Sequence, residues 1–236
     1  MRRVLVTRPE PGAGQTAQRL SALGFAPLVL PLTRIVPLPP PVSFQAVPWS
    51  AVAITSPNAV RHAPRGLLGA LAGLPVHAVG EGSAAAARAA GLAHAAAAAG
   101  DAERLAQQIV AQRAPGRILL LCGRVRRDTL ERRLSAAGFG IDVLETYDTL
   151  PARPAPQAVA ALLGGAPVQA ALFHSAFAAR LFAPVLEQAP RCFADTLFVA
   201  ISPRVAESLP PRTGGRVAIA ARPTEEAMFA RLAGGM

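Results

Sequence analysis

The residues with the clearest chemical potential are a short polar run, TSPN, at 55–58. It follows an apolar run at 51–54 (AVAI), which is typical of a buried parallel strand, and precedes a helical run from Ala59. Ser or Thr just before Pro predicts a helix N-cap with proline in the first turn. Such a junction points hydroxyls and backbone N–H groups into the crevice at the carboxyl end of a parallel sheet, where anions bind. The alternative is a capped helix with only a structural role.

The same kind of junction occurs again in the second half of the chain. Four segments of the first half match four segments of the second half in the same order, and the first pair shares LSA-x-GF at its end. The matching pairs are 3–25 with 117–139, 51–63 with 170–182, 76–90 with 197–209, and 100–109 with 222–232. The pattern predicts two copies of one βα-built unit. A shared Ala-rich composition is the alternative explanation.

Apolar runs alternate with amphipathic runs along the whole chain, which predicts an α/β fold with parallel sheets. Ser83, Asp101 and Thr224 are predicted as helix N-caps. The predicted strands are 4–7, 26–31, 51–54, 74–79, 117–121, 141–149, 169–173, 196–201 and 217–220. The predicted helices are 15–23, the run from 59, 84–90, 102–112, 128–137, 157–163, 177–187, 205–209 and the run after 223.

Two long, proline-ended extended runs, 26–38 and 141–152, bear on the domain layout. If both cross between domains as a two-stranded ladder, the first domain is discontinuous. It then holds residues 1–36 and 150–236, with 37–149 inserted as the second domain. Proline runs at both crossings favour this insertion. The alternative is a head-to-tail pair divided near residue 115.

Composition narrows the classes of function. The net charge is +10 and all 24 basic residues are Arg, whose guanidinium suits carboxylate and phosphate ligands. The arginines are spread along the chain and aromatic residues do not alternate with them, which disfavours nucleic-acid binding. No apolar run reaches the roughly 18 residues of a membrane span, and no signal peptide is recognised. Two distant cysteines predict neither a disulfide framework nor a zinc site, so a reducing cytoplasm is expected.

Ordered motifs resemble the uroporphyrinogen-III synthase family over nearly the whole chain. The motifs are VLVTRP at 4–9, PL-x-x-I at 31–35, TSPNAV at 55–60, AVGEGSAAAARAAG at 78–91, GDAE at 100–103, G-x-x-x-R at 123–127 and ETYDTLP at 145–151. The resemblance implies two flavodoxin-like parallel-sheet domains joined by a two-stranded β linker, with the discontinuous layout described above. It also implies a lyase of porphyrin and haem biosynthesis. That enzyme closes 1-hydroxymethylbilane, a linear tetrapyrrole with eight carboxylates, to uroporphyrinogen III, with inversion of ring D and loss of water.

The resemblance further implies that no metal or organic cofactor takes part, and the substrate is expected to come from the preceding deaminase. A monomer is expected because the sequence shows no extra apolar surface helix. Tyr147, the single tyrosine, is the candidate proton donor to the departing hydroxyl, although it could equally pack the hinge. For Arg8 the favoured alternative is a structural arginine bonded to loop carbonyls. The implied substrate-binding residues are Arg8, Thr55, Ser56, Asn58, Gly80, Ser83, Gly123, Arg127, Ser175 and Ser202.

The second half departs from the family pattern. His174 stands where a Thr is common, Ser202 and Val205 stand where Gly and Thr are usual, and Cys122 stands where Arg is common. His174 either replaces the lost hydroxyl in the cleft or is solvated at the end of its strand. These departures support the alternative of a two-domain, hinge-type module that binds a small polyanion without catalysis. A nucleotide-binding regulatory domain is a third hypothesis, which the lack of a Walker loop and of a complete glycine fingerprint disfavours.

Overall fold

The computed structural model describes residues 1–41, 47–98, 101–213 and 216–233. These residues form an α/β fold with two parallel-dominated sheets. The chain divides into two compact units, of which unit 1 holds Met1–Ile35 and Leu150–Met236, and unit 2 holds Val36–Thr149. Helices and strands alternate along both units, as the apolar and amphipathic runs predict.

The strands are short except for β8. They are β1 (Arg3–Val6), β2 (Ala26–Val29), β3 (Thr33–Pro37), β4 (Ala51–Ile54), β5 (Val76–Ala78), β6 (Ala95–Ala97), β7 (Arg117–Gly123), β8 (Gly140–Pro151), β9 (Ala170–Phe173), β10 (Leu197–Ala200) and β11 (Val217–Ile219). The α-helices are α1 (Gly12–Ala22), α2 (Pro57–Arg61), α3 (Arg65–Leu71), α4 (Glu81–Ala89), α5 (Ala102–Gln112), α6 (Thr129–Ala136), α7 (Pro156–Leu163), α8 (Ala176–Arg180), α9 (Ala183–Gln188), α10 (Pro203–Glu207) and α11 (Glu225–Ala233).

The sheet of unit 1 has the order β11-β10-β9-β1-β2, and its strand pairs are parallel. The chain adds β2 on one side of β1, and β9 to β11 on the other. The strand order therefore reverses between β1 and β9, which is the point where open α/β sheets bind ligands. Edge-to-face contacts among Phe173, Phe182 and Phe198 fill the core on one face of this sheet. Met228 and Phe229 of α11 pack on the other face.

The second sheet has the order β3-β8-β7-β4-β5-β6. The pairs β4–β7, β4–β5, β5–β6 and β7–β8 are parallel. The strand order in unit 2 reverses between β4 and β7. Helix α5 covers this sheet with Leu105 and Ile109, which are fully buried. The neighbouring strands β3 and β8 both run through the boundary between the units.

Two predicted helix caps are confirmed. Asp101 accepts hydrogen bonds from the backbone N–H groups of Glu103 and Arg104, both at 3.1 Å. Thr224 accepts one from Ala227 N–H at 3.3 Å. Gly100, which precedes Asp101 in the GDAE motif, lies outside the described residues.

Ser83 as the cap of α4 was wrong. The helix begins at Glu81 with Gly80 as its N-cap residue, and the Gly80 carbonyl accepts the N–H groups of Ser83 and Ala84, both at 3.0 Å. Ser83 therefore lies in the first turn, where it is buried. The longer helix gains Glu81 at its positive N-terminus, and Glu81 pairs with Arg88 two turns along the helix.

Two other differences come from packing and from proline. The strand β6 has the sequence AAA, which carries little intrinsic strand preference, and it forms because it pairs in register with β5. The run at 177–187 is not one helix. It ends at Arg180 and restarts at Ala183, where Pro184 occupies the first turn of α9.

Candidate functional site

The polar run TSPN occupies the switch point of unit 2, at the carboxyl end of β4. Ser56 caps α2 because its Oγ accepts the N–H of Asn58 at 3.2 Å, and Pro57 is the first helical residue, as predicted. The N–H of Thr55 donates to Leu121 O on β7 at 3.4 Å. Thr55, Ser56 and Asn58 are all half-buried, so their polar groups border the crevice.

Tyr147 and Gly123 meet at the same switch point. The β7–β8 register shifts at Cys122/Gly123, so that Gly123 faces Tyr147 and one residue of β8 is left without an opposite partner. Such a bulge re-aims the side chain that follows it. A Cβ at Gly123 would lie 2.5 Å from Cζ and 2.8 Å from Oη of Tyr147. Glycine is therefore the residue that lets the phenol lie against the end of β7.

The environment of Tyr147 keeps its phenol protonated. The residue is 9% exposed, and burial raises the pKa of Tyr147, while hydrogen bonding with Ser56 opposes that rise. The phenol therefore carries a proton at neutral pH, and its burial makes it a weaker acid than an exposed tyrosine. The ring centroid of His62 lies 6.3 Å from that of Tyr147, and burial and the charge of Arg61 lower the pKa of His62. Sequence reasoning missed His62, although it lies one helical turn after Asn58.

Arg127 differs from the other arginines that follow β7. Arg124 and Arg126 both pair with Glu145, at 3.1 and 2.7 Å. Arg126 also pairs with Glu131 at 2.7 Å. Arg127 is exposed and makes no hydrogen bond or ion pair within the part of the chain that the structure describes. Its guanidinium is therefore available to an anionic ligand.

Gly80 and Ser83 follow β5, beside β4. Gly80 is half-buried and has an extended backbone, with φ 174°. Ser83 is 5% exposed. Glycine at the N-cap leaves the start of α4 uncovered by any capping side chain.

In unit 1, Ser175 and Ser202 both precede short helices. Ser175 caps α8, since its Oγ accepts the N–H of Ala178 at 3.1 Å. Ser202 is the N-cap residue of α10 but makes no side-chain cap hydrogen bond. The Ser175 hydroxyl is therefore engaged by its own helix, whereas the Ser202 hydroxyl makes no hydrogen bond to the residues that the structure describes.

Arg8 and His174 lie at the switch point of unit 1, where both contact Glu225. Arg8 has the structural contacts that the alternative expects, but with side chains in place of loop carbonyls: its Nη1 lies 3.1 Å from Glu225 Oε1 and 3.4 Å from Thr16 Oγ1. His174 is not solvated at its strand end. Its side chain is 11% exposed, and its Nε2 lies 3.2 Å from Glu225 Oε1. A buried carboxylate supplied by α11 draws both side chains inward.

Glu225 stays ionised in this environment. Burial opposes its ionisation, but hydrogen bonds from His174 and Thr16 and the charge of Arg8 lower the pKa of Glu225 to about 2. Burial lowers the pKa of His174, against the opposing effect of Glu225. Sequence reasoning missed Glu225, because two carboxylates at a helix start are explained by the helix dipole alone.

Metal clusters and membrane spans are both absent from the described residues. Among them, no three or more His, Cys, Asp or Glu side chains are grouped as metal ligands would be. Within the same ranges, no helix has the length and apolar character needed to cross a bilayer.

These features define the class of the protein. It is an α/β protein with parallel-dominated sheets, and each unit gathers polar and cationic side chains at the carboxyl edge where its strand order reverses. The family model described as uroporphyrinogen-III synthase HemD matches residues 14–230. The chain therefore belongs to the uroporphyrinogen-III synthase family, a family of porphyrin and haem biosynthesis enzymes, and the resemblance drawn from its motifs is confirmed.

Solved structures agree on the fold. Uroporphyrinogen-III synthetase from Helicobacter pylori is 18% identical, with a TM-score of 0.67 over 99% of both chains. A mutant uroporphyrinogen III synthase from the extremely thermophilic bacterium Thermus thermophilus is 21% identical, with a TM-score of 0.54 over 99% of this chain and 98% of that one. No curated protein sequence matches the chain significantly.

Proposed function

We propose that this chain closes 1-hydroxymethylbilane to uroporphyrinogen III, with inversion of ring D and loss of water. The observation that carries the proposal is the family match over residues 14–230. The enzyme class follows from the family, and the roles of individual residues are our proposal.

The reaction requires one proton donor and a binding site that fixes the conformation of a flexible substrate. Protonation of the hydroxyl breaks its C–O bond, so that water leaves and a cationic azafulvene remains. The substituted carbon of ring D attacks this cation, and the bond between that carbon and its own methylene bridge then breaks, which leaves a second azafulvene cation on the neighbouring ring. The unsubstituted carbon of the inverted ring D attacks this second cation and loses its proton, so bonds and protons balance over one turnover. Orientation of the chain therefore supplies most of the catalysis, and one general acid assists.

Tyr147 is the acid that we propose. It is the only tyrosine, and its phenol carries a proton at neutral pH. Burial raises the pKa of Tyr147 and opposes proton donation, whereas hydrogen bonding with Ser56 lowers that pKa and favours it. The glycine at position 123 and the bulge in β8 support this role, because together they turn the ring toward the polar run at the end of β4. A tyrosine that only packed the hinge would use its ring and would not need its hydroxyl group.

The substrate brings eight carboxylates, and helix starts, hydroxyls and arginines are groups that bind carboxylates. Within the described residues, the Arg127 guanidinium has no partner and the Ser202 hydroxyl makes no cap hydrogen bond, which supports binding roles for both. The full proposed set is Arg8, Thr55, Ser56, Asn58, Gly80, Ser83, Gly123, Arg127, Ser175 and Ser202.

We also propose two flavodoxin-like domains, 1–36 with 150–236 and the inserted 37–149, joined by a two-stranded linker made of β3 and β8. The division into compact units close to these limits supports the layout. The proposal includes a cytoplasmic monomer that receives its substrate from the preceding deaminase. Cys122 and Cys192 are both buried and unpaired, as in a protein of a reducing compartment.

A product assay tests the function. Hydroxymethylbilane is generated in situ, the purified protein is added, and the oxidised porphyrins are separated into isomers I and III. Spontaneous closure yields isomer I, so an excess of isomer III supports the synthase. Isomer I alone, formed at the uncatalysed rate, refutes it and favours the anion-binding module.

Tyr147→Phe tests the proposed acid in the same assay. The substitution keeps the ring and removes the proton, so we expect the rate of isomer III formation to fall by about 10²-fold or more. Turnover equal to that of the wild type would remove Tyr147 as the acid while leaving the overall function intact.

A further inference from the structure

We propose that Glu225 and Gly12 are positioning residues that hold the Arg8 guanidinium ready for a carboxylate of the substrate. The inference rests on the proposed function, since it assumes the polycarboxylate substrate. It assigns roles to two residues that none of the sequence motifs singled out.

Among the described residues, hydrogen-bond partners contact one nitrogen of the Arg8 guanidinium. Its Nη1 donates to Glu225 at 3.1 Å and to Thr16 at 3.4 Å. Its Nε and Nη2 make no hydrogen bond to any residue that the structure describes, and the side chain is 34% exposed. These two nitrogens form one edge of the planar fork, and that edge can bind both oxygens of a carboxylate.

Gly12 leaves the space that this edge occupies. A Cβ built at Gly12 would lie 2.5 Å from Nε, 2.7 Å from Cζ and 2.8 Å from Nη2 of Arg8. Any other residue would therefore push the guanidinium away. Gly12 is also the first residue of α1. The start of this helix is already occupied by a carboxylate, because Glu10 Oε2 accepts the N–H of Gly14 at 2.9 Å, so the inference rests on the Arg8 guanidinium and not on the helix dipole.

Glu225 anchors the opposite side of the guanidinium. Its carboxylate is itself held by four side chains, with Arg19 at 2.5 Å and His174 at 3.2 Å in addition to Thr16 and Arg8. A carboxylate fixed in this way cannot follow Arg8 if the arginine moves. Arg8 is therefore fixed at Nη1 and open at Nε and Nη2, which is the arrangement of a preorganised carboxylate receptor.

Gly12→Ala tests the inference without changing any charge. The new methyl group displaces the guanidinium, so we expect the KM for hydroxymethylbilane to rise about tenfold, with kcat little changed. Gly14→Ala is the matched control in the same helical turn. Its Cβ would meet only the carboxylate end of Glu10, at 3.3 Å, so KM should change by less than about twofold. Equal KM values for the two variants would overturn the inference.

A double-mutant cycle between Arg8→Gln and Glu225→Gln tests the coupling. If Glu225 acts through Arg8, then Glu225→Gln raises KM in the wild type and leaves KM unchanged in the Arg8→Gln background. Equal fold-changes in both backgrounds would overturn the inference, as would a lower KM in Glu225→Gln, which would mean that Glu225 competes with the substrate for Arg8.

The outcomes separate this inference from the proposed function. If the wild type forms isomer III and Arg8→Gln has a normal KM, the function stands and the positioning role fails. If the wild type forms only isomer I, the function itself fails. Thermal unfolding of each variant confirms that it is folded, and Gly12→Ala decides the matter if Glu225→Gln does not fold.

Discussion

Replacing Glu225 by glutamine should make the protein less stable, and the loss should shrink as the pH falls. The carboxylate is 14% exposed and bonds Arg8, Arg19, Thr16 and His174. Glutamine keeps the shape of the side chain and removes the charge that these partners share. Within the described residues, Arg8 then loses its anionic partner and Arg19 keeps only Glu226.

The magnitude follows from the pKa of Glu225, which falls from 4.5 to about 2 on folding. A carboxyl whose folded pKa is depressed stabilises the protein above its unfolded pKa, and this contribution is lost as the pH drops through the folded pKa. The difference between the folded and unfolded pKa values of Glu225 stabilises the folded protein by about 3 kcal/mol at pH 7 and by about half of that at pH 3. The gap between the wild type and Glu225→Gln should therefore narrow by at most about 2 kcal/mol between these pH values.

His174 adds an effect of opposite sign to this comparison. Burial lowers the pKa of His174 while Glu225 raises it, so the substitution lowers that pKa further. In the variant, His174 therefore binds a proton more readily in the unfolded state than in the folded state below about pH 6.5. The free energy of unfolding of the variant then falls as the pH drops. The stability gap between the wild type and Glu225→Gln that depends on the Glu225 charge narrows below pH 4.5, the unfolded pKa of Glu225.

Urea unfolding followed by circular dichroism from pH 7 to pH 3 measures the effect. Glu226→Gln is the matched control, because Glu226 is the next residue of α11 and also pairs with Arg19, but its side chain is 70% exposed. We expect the control to follow the wild type closely at every pH. Parallel stability curves for the wild type and Glu225→Gln would refute the reasoning, as would the same pH dependence in the control.

Three further predictions concern unit 2. Gly123→Ala should lower kcat as far as Tyr147→Phe does, because the new methyl group displaces the phenol ring. A kcat close to that of the wild type would show that the position of the ring does not matter. Cys122 should resist a thiol reagent in the native protein and react in urea, since burial raises its pKa to about 12; rapid labelling of the native protein would contradict this. Asp101→Ala should lower the free energy of unfolding by about 1 kcal/mol, because it removes the cap of α5. Asp128→Ala, at the start of α6, should lower it less, because Asp128 makes no cap hydrogen bond. Equal losses in the two variants would contradict the cap argument.

Local sequence signals predicted much of the framework. The strand at 51–54 and the capped start of α2 depend on neighbours within a few residues, and both were predicted correctly. Asp101 was found as a cap for the same reason. Signals of this kind fail where pairing decides the structure, as in the AAA strand at 95–97, which exists through its partner β5.

The contacts within the candidate site were harder to predict. Arg8 and Glu225 are 217 residues apart in sequence, and His174 and Glu225 are 51 residues apart. Neither spacing carries a periodic signal, because the sheet order and not the chain brings β1, β9 and the start of α11 together. The close approach of Gly123 and Tyr147 likewise depends on a shift in the β7–β8 register, which the residue types in these strands do not predict.

The amino-acid sequence by itself determined the alternation of strands and helices, the helix starts at the ends of strands and the family motifs, since each of these is written in residues close together along the chain. Tertiary structure alone decided which of those polar groups remain open to a ligand. A guanidinium is free or occupied according to distant partners: Glu225 holds Arg8 at one nitrogen, whereas Arg127 has no partner among the residues that the structure describes. Burial next to those partners also sets the protonation of Tyr147 and Glu225, because the pKa of a group depends on the solvent and charges that the fold places around it.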